Sequence, residues 1–312
     1  MMQNMSAGRL TLGMLGVILF LQTPAHLLGQ LSHAPEAPTR KLSQSDLQYF
    51  ENAPTIIDWP AKKVRSLSAF HGLKVQDDPE RLGEVLQKVG EKVETFFRTF
   101  PNTTSEEVVQ ESIFSRTASS GPLQRFHYLM LAQHGGTDLA LKEYRTDDQG
   151  HEAEVASRGS FFGTQGFASA PLHFHPLYQP GERFRYLGRL RIDNREVDVV
   201  AFAQRPDNPK IVYSFEAAGK SSGLLVQGFA WIDSETYQIL RMNFFLLAPR
   251  PDIGLTAADT DIVLEEVHFP DSPMIAWLPQ RVIIYITWKG YHFRNIHHYS
   301  AFKLFRTKSV IH

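Results

Sequence analysis

The feature that most constrains the fold is a run of extended segments in the C-terminal third of the chain. Five segments rich in β-branched and aromatic residues follow one another there: Gly223–Ile232, Tyr237–Leu246, Ile262–Phe269, Pro279–Lys289 and Tyr291–Phe305. The polar link Asp233–Thr236 joins the first two, and Lys289–Gly290 joins the last two, where glycine can adopt a positive φ. Strands joined by such short links pair antiparallel. The sequence therefore predicts an antiparallel meander.

More extended segments precede the meander and enlarge the predicted sheet. They are Glu106–Thr117, Arg125–Gln133, Asp138–Arg145, Glu182–Ile192, Val197–Ala203 and Ile211–Phe215. Alternation in Glu182–Ile192 predicts one face with Phe184, Tyr186, Gly188, Leu190 and Ile192, and a second face with Arg183, Arg185, Leu187, Arg189 and Arg191. The arginine row is interpreted either as a solvated sheet face or as a docking strip for an anionic partner, such as phospholipid headgroups or an acidic protein surface.

One amphipathic helix is predicted before the strands, over residues 78–100. Asp78 is a suitable N-cap, Pro79 suits the first helical position and Pro101 ends the pattern. Apolar residues recur at spacings of three and four between Leu82 and Phe97. This apolar stripe requires an apolar partner, and the sheet is the one large enough. The pattern as a whole predicts an α+β, mostly β fold in which few helices cover one large antiparallel sheet.

The N-terminus is predicted to be an export signal. Arg9 precedes the apolar run Leu10–Leu21, and small residues at Thr23 and Ala25 suit a cleavage site. The run is shorter than the ~20 residues that a spanning helix needs, which favours cleavage over an uncleaved anchor. We divide the chain into a signal peptide (1–29), a flexible leader (30–54) and a single domain (55–312). The mature protein is then periplasmic or secreted, with no transmembrane segment.

Composition excludes several classes of function. The formal net charge of −1 over 312 residues gives no basic excess for a nucleic-acid partner. The absence of cysteine excludes disulfides, thiolate zinc sites, iron–sulfur clusters and thiol nucleophiles.

Histidine and serine side chains are the candidate catalytic or metal-binding groups. His173 and His175, two apart on an extended chain, would share a face and could bind zinc with His297 or His298. No metalloprotease, nucleophile-elbow or nucleotide-binding motif accompanies them. We therefore expect no enzymatic activity, no cofactor and no metal. An enzyme that uses His173 and His175 with a metal remains as a third alternative. The Gly- and Ser-rich segment 147–175 is a candidate lid.

A family resemblance rests on residues 227–241 (QGFAWIDSETYQILR). This segment resembles a hairpin of secreted bacterial proteins whose fold is like that of the lipoprotein carrier LolA and the sigma-factor regulator RseB. Residues 186–190 with 195–199 resemble the preceding strand pair, and residues 277–281 and 291–295 resemble secreted proteins of the Acidobacteria type. The resemblance covers roughly residues 180–306. It implies a curved antiparallel half-barrel whose concave face is covered by helices and encloses an apolar cavity for lipid or acyl chains.

The aromatic and apolar candidates for that cavity lie on several predicted strands. They are Phe126, Tyr128, Met130, Phe184, Tyr186, Tyr213, Phe215, Phe229 and Trp231. Our first hypothesis is a binding protein that holds a lipid, an acyl chain or a lipidated peptide, with possible contact to a membrane surface. The second is a structural or regulatory module that fills its own interior and binds another envelope protein.

Overall fold

The protein is described by a computed structural model. It describes residues 18–21, 42–114, 118–133, 140–151, 163–164, 167–217, 220–270 and 272–305. Most of the predicted signal peptide, residues 30–41 of the predicted leader, and residues 152–162 and 165–166 of the candidate lid lie outside these ranges.

The described chain forms fifteen strands and three α-helices. The strands are β1 (Ile18–Leu21), β2 (Thr103–Phe114), β3 (Ala118–Ser120), β4 (Gln124–Gln133), β5 (Ala140–Thr146), β6 (Gly163–Thr164), β7 (Glu182–Ile192), β8 (Arg195–Gln204), β9 (Tyr213–Ala217), β10 (Lys220–Leu224), β11 (Val226–Asp233), β12 (Ile239–Leu246), β13 (Leu255–His268), β14 (Ile275–Trp288) and β15 (Tyr291–Leu304). The α-helices are α1 (Gln44–Leu47), α2 (Ala61–Arg65) and α3 (Pro79–Thr99). Short 3₁₀ helices span Ile56–Asp58, Ser68–Phe70, Phe167–Phe174, Gln179–Gly181 and Pro251–Ile253.

Eleven strands form one antiparallel sheet in the order β5-β4-β2-β15-β14-β13-β12-β11-β8-β7, with β3 added beside β2. The end strands β5 and β7 do not pair with each other within the described ranges, so the sheet stays open. A smaller sheet has the order β10-β9-β1-β6. The predicted fold class, a mostly β α+β protein with an open antiparallel sheet and few helices, is confirmed.

The inner face of the large sheet is covered by α3 and by the 3₁₀ segment Phe167–Phe174. The Asp78 carboxylate accepts a hydrogen bond from the Arg81 amide (2.9 Å) at the start of α3, as an N-cap should. The apolar stripe of α3 is buried against the sheet, and every residue of Phe167–Phe174 is buried beside it. Because the central sheet supplies the apolar surface, one helix and one irregular segment complete the main core.

The outer face of β7, β8 and β11 is also covered, by residues 56–75. Ile56, Val64, Phe70 and Leu73 pack on the strands, and the Phe70 ring stacks on Trp231 with ring centroids 5.5 Å apart. Phe50 packs nearby on strand residues and is 1 % exposed. Residues 42–54, assigned to a flexible leader from their composition, thus include helix α1 and a fully buried aromatic ring. This part of the sheet lies between two covering layers.

A β-bulge in β7 divides the predicted arginine row. The register with β8 shifts between Tyr186 and Gly188, so the residues after the bulge exchange faces. Arg183 and Arg185 point outward, where they pair with Asp58 and Asp77 of the covering segment. Arg189 instead bonds the buried carboxylate of Asp198 (3.0 Å). The expectation of one arginine face was wrong, because alternation cannot anticipate an inserted residue.

Strands β14 and β15 do not pair with each other over six of the fourteen residues of each strand. Their ladder ends at Arg281 and His298, and no described pair joins residues 275–280 to β15. Pro279 has no N–H to donate, and β15 is irregular between Ser300 and Lys303, where Ala301 has a φ of 54°. The sheet wall is therefore split at this point.

Candidate ligand-binding site

The nine predicted cavity residues fall on both faces of the large sheet and on the smaller sheet. On the inner face of the large sheet lie Phe126, Tyr128, Met130, Phe184 and Tyr186, whereas Tyr213 and Phe215 lie on β9 of the smaller sheet and pack in the main core. Phe229 and Trp231 lie on the outer face, beneath the Phe70 ring. A single cavity cannot be lined by all nine, so the predicted set does not come together as one site.

The inner residues are packed rather than arranged around an open space. All of them except Phe184 are at most 3 % exposed. Tyr213 is typical, since its ring lies 5.6 Å from that of Phe244 and its hydroxyl bonds His173. Side chains therefore fill this part of the half-barrel.

An open groove lies between the C-terminal half of α3 and the start of β14. Its volume is about 370 Å³. The lining residues are Glu91, Lys92, Thr95, Phe96, Thr99, Phe100, Pro101, Gln238, Met274, Ile275, Ala276 and Trp277. Ile275 is 53 % exposed. The buried and half-buried lining of the groove is mostly apolar, whereas Glu91, Lys92, Thr95 and Thr99 are exposed.

The groove leads toward the core of the half-barrel. A small space of about 20 Å³ shares Lys92, Phe96, Gln238 and Trp277 with it, and its lining also includes the core residues Val93 and Leu264. Phe100 lines the groove and belongs to the main core cluster together with Tyr128 and Met130. The groove thus adjoins the core.

The groove was not predicted from the sequence. Phe96 was assigned to the stripe of α3, and Trp277 entered only through the family resemblance. A usable signal was the run Met274–Trp277, which is apolar without alternation and follows Pro273. Such a run predicts apolar side chains on both faces of the strand, each of which needs an apolar partner.

The inner face of β2, β5 and β15 carries a buried ionic network. Arg145 donates from Nη2 to Oε1 of Glu107 (2.7 Å), and the same oxygen accepts from His297 Nδ1 and from the Tyr299 hydroxyl (2.8 Å each). Burial opposes ionisation of Glu107, but Arg145 and the donated hydrogen bonds outweigh it and lower the pKa of Glu107 to about 2. Burial lowers the pKa of His297, against the pull of Glu107. The network therefore holds a carboxylate, a guanidinium and a neutral imidazole.

Two hydroxyls beside this network have no hydrogen-bond partner among the described residues. They belong to Thr103 and Ser105, which are 0 % and 3 % exposed on the inner face of β2. Across the ladder they face Met130 and Tyr128. Unpaired buried hydroxyls are costly, so a site of this kind needs an explanation.

His173 is engaged in a different buried chain of hydrogen bonds. Its Nδ1 lies 2.7 Å from Glu182 and its Nε2 lies 2.8 Å from the Tyr213 hydroxyl. Burial raises the pKa of Glu182, opposed by His173, and burial also raises the pKa of Tyr213. Both ring nitrogens of His173 are therefore occupied by protein groups.

The predicted geometry of the histidine pair was wrong. His173 lies in a 3₁₀ helix and His175 just after it, so a spacing of two does not place them on one face. His175 Nδ1 accepts from the Leu177 amide (3.1 Å). Among the residues that the structure describes, no three His, Asp or Glu side chains form a group that could hold a metal ion.

Comparisons with known proteins bring up similar solved structures. No family model and no curated protein matches the chain. A domain assigned to outer membrane lipoprotein sorting from Vibrio parahaemolyticus is 13% identical, with a TM-score of 0.36 over 70% of this chain and 91% of that one. A DUF1329 family protein from Desulfovibrio piger is 8% identical, with a TM-score of 0.37 over 72% and 94%. A LolA superfamily protein from Nitrosomonas europaea is 9% identical, with a TM-score of 0.27 over 72% and 94%.

Within the described ranges, no helix is both long and apolar enough to cross a membrane.

Proposed function

We propose that the mature protein is a periplasmic or secreted binding protein, without a reaction of its own, that holds an acyl chain of a lipid or lipidated peptide. The observation that carries this proposal is the groove between α3 and β14. Its volume lies in the usual range for small-molecule sites, and its lining includes the apolar side chains of Phe96, Phe100 and Trp277. An acyl chain suits such a site because its burial requires no polar partner.

Ile275 supports the choice of the groove over the packed interior. Burying its exposed side chain under an acyl chain would remove apolar surface from water, which stabilises a complex at roughly 25 cal/mol per Å². Phe96, Phe100 and Trp277 would contact the same chain.

The test is binding of an environment-sensitive acyl probe by protein that was expressed with its signal and purified without detergent. The variant Ile275→Asp should weaken binding at least tenfold, because a carboxylate in the groove must be desolvated by the chain. Leu123→Asp is the matched control, since Leu123 is 54 % exposed and Ile275 is 53 % exposed. Mass spectrometry of an organic extract would identify any lipid that co-purifies.

A protein-interaction module is the second candidate, and the packed interior around Tyr213 and Trp231 favours it. On that account neither the wild type nor the variants bind the probe, and extraction yields no lipid. Equal binding by the Ile275→Asp and Leu123→Asp variants would remove the groove from the proposal.

A further inference from the structure

The groove lies at the split in the sheet wall. Its β side consists of Met274 to Trp277, and residues 275–277 belong to the part of β14 that does not pair with β15. Its other side ends at Pro101, two residues before Thr103. Two residues of extended chain span at most about 7 Å, so the backbone of Thr103 lies close to the end of the groove, and the Thr103 hydroxyl is buried behind the groove lining.

Neighbouring hydroxyls on this face are already engaged. Tyr128, opposite Ser105, donates to Glu143, and Tyr299 donates to Glu107. Thr103 and Ser105 project from the same face of β2, about 7 Å apart along the strand. They form a pair of buried groups that can both donate and accept hydrogen bonds.

We propose that Thr103 and Ser105 bind the polar head of an amphiphile whose acyl chain lies in the groove, and that this head is uncharged, such as a glycerol ester. The inference rests on the proposed function and names the ligand class for the same site.

The electrostatics of the face favour an uncharged head. Arg145 lies on this face but is paired with Glu107 by two hydrogen bonds. A carboxylate or phosphate beside the hydroxyls would lie close to the Glu107 carboxylate and would have to be desolvated. An ester or a glycerol hydroxyl would satisfy the two hydroxyls without adding charge.

The test compares 1-monooleoylglycerol with oleate as competitors of the acyl probe. The wild type should bind monooleoylglycerol at least tenfold more tightly than oleate. The double variant Thr103→Val, Ser105→Ala should weaken the binding of monooleoylglycerol about five- to tenfold, which is the loss expected for one or two hydrogen bonds. The same variant should leave the affinity for oleate unchanged. Thr104→Val, which alters the neighbour on the opposite face, is the control and should change neither.

The stability of the free protein gives a second readout. Thr103→Val replaces an unpaired buried hydroxyl by a methyl group of the same shape, so the Tm without ligand should rise. The inference would be overturned by a lower Tm of the Thr103→Val variant. It would also be overturned by a double variant that keeps the wild-type preference for monooleoylglycerol over oleate, or that loses affinity for both competitors equally. If Ile275→Asp weakens probe binding while the Thr103 and Ser105 variant does not alter the preference, the proposed function stands and this inference alone fails. If the wild type binds no competitor and no probe, both fail.

Discussion

Asp198 shows how much a single buried residue contributes to this fold. Its side chain is fully buried and accepts hydrogen bonds from Arg81, from Arg189 (3.0 Å) and from the Tyr186 hydroxyl (2.8 Å). Burial, with the hydrogen bond to Asp198, raises the pKa of Tyr186 to about 12. Asp198 thus connects α3, β7 and β8.

Replacing Asp198 by Asn should destabilise the protein strongly. The substitution removes the charge that compensates two arginines, and losing one member of a buried ion pair typically costs about 3 kcal/mol. Urea unfolding would measure the loss in the free energy of unfolding. Asp207→Asn breaks the exposed pair with Arg205 and should leave that free energy unchanged. Equal effects of the two variants would contradict the assigned role of Asp198.

His297 and Glu107 predict a loss of stability on acidification. Both folded-state pKa values lie below their ordinary values of 6.5 and 4.5. The unfolded chain therefore takes up protons first as the pH falls, and the folded state loses stability. The loss of stability that is due to His297 begins at about pH 6.5 and continues as the pH falls. The loss that is due to Glu107 occurs between pH 4.5 and about 2.

The variant His297→Gln isolates the first of these contributions. Glutamine retains a donor for Glu107 but does not titrate, so the decline of Tm between pH 6.5 and 5 should become shallower than in the wild type. A His297→Gln profile parallel to that of the wild type would show that His297 is not held neutral in the fold.

At the scale of elements, the β7 bulge fixes the covering segment to the sheet. Gly188 has a φ of 125°, and a Cβ at this position would lie 2.4 Å from the Lys74 carbonyl oxygen. The Gln76 amide donates to the Leu187 carbonyl beside it (3.2 Å). The covering segment therefore approaches the strand at a position where only glycine fits.

Gly188→Ala should displace the covering segment. We expect a lower Tm and faster proteolysis between residues 60 and 77, because the added methyl group collides with the backbone. Gly83→Ala makes the same change on the exposed face of α3, where nothing lies within 4 Å, and should stabilise the protein by about 0.8 kcal/mol. A Gly188→Ala protein as stable and as protease-resistant as the wild type would contradict this account.

The helices and strands were predictable from the sequence where the local residue pattern determines them. The C-terminal meander and the helix with its Asp78 cap follow from period, turn residues and capping. The faces of some strands were not predictable. Every residue of β11 is buried, so no polar side marks which way Phe229 and Trp231 point. The alternation of β7 likewise gives no sign of the bulge. The bulge accompanies the close approach of Lys74, which belongs to a segment distant in sequence.

The same limit explains the predicted leader and the missed groove. Composition predicted a flexible leader over residues 30–54, yet Phe50 packs against Ala203 of β8 and against Leu247, which follows β12. The groove depends on where α3 ends relative to β14. This is a matter of tertiary packing, which the local sequence pattern does not determine. The sequence therefore carried the fold class but not the arrangement of the site.

At the scale of the whole molecule, the sheet is covered unevenly. One end, at β7, β8 and β11, is packed on both faces, whereas Tyr285 and Tyr291, on the central strands β14 and β15, are about half exposed. The split between β14 and β15 lies in the unpaired part of these central strands, beside the end of α3. We therefore expect ligand to enter there rather than at the doubly covered end.

The most direct test of this account is photo-crosslinking with a diazirine-bearing fatty acyl glycerol, followed by peptide mapping. The groove account predicts labels on α3 and its end, within residues 91–101, and on residues 274–277. It also predicts that excess monooleoylglycerol suppresses them. Labels that concentrate instead at exposed apolar residues elsewhere, such as Leu123 or Leu177, or no saturable labelling at all, would contradict the central claim that this groove binds an acyl chain.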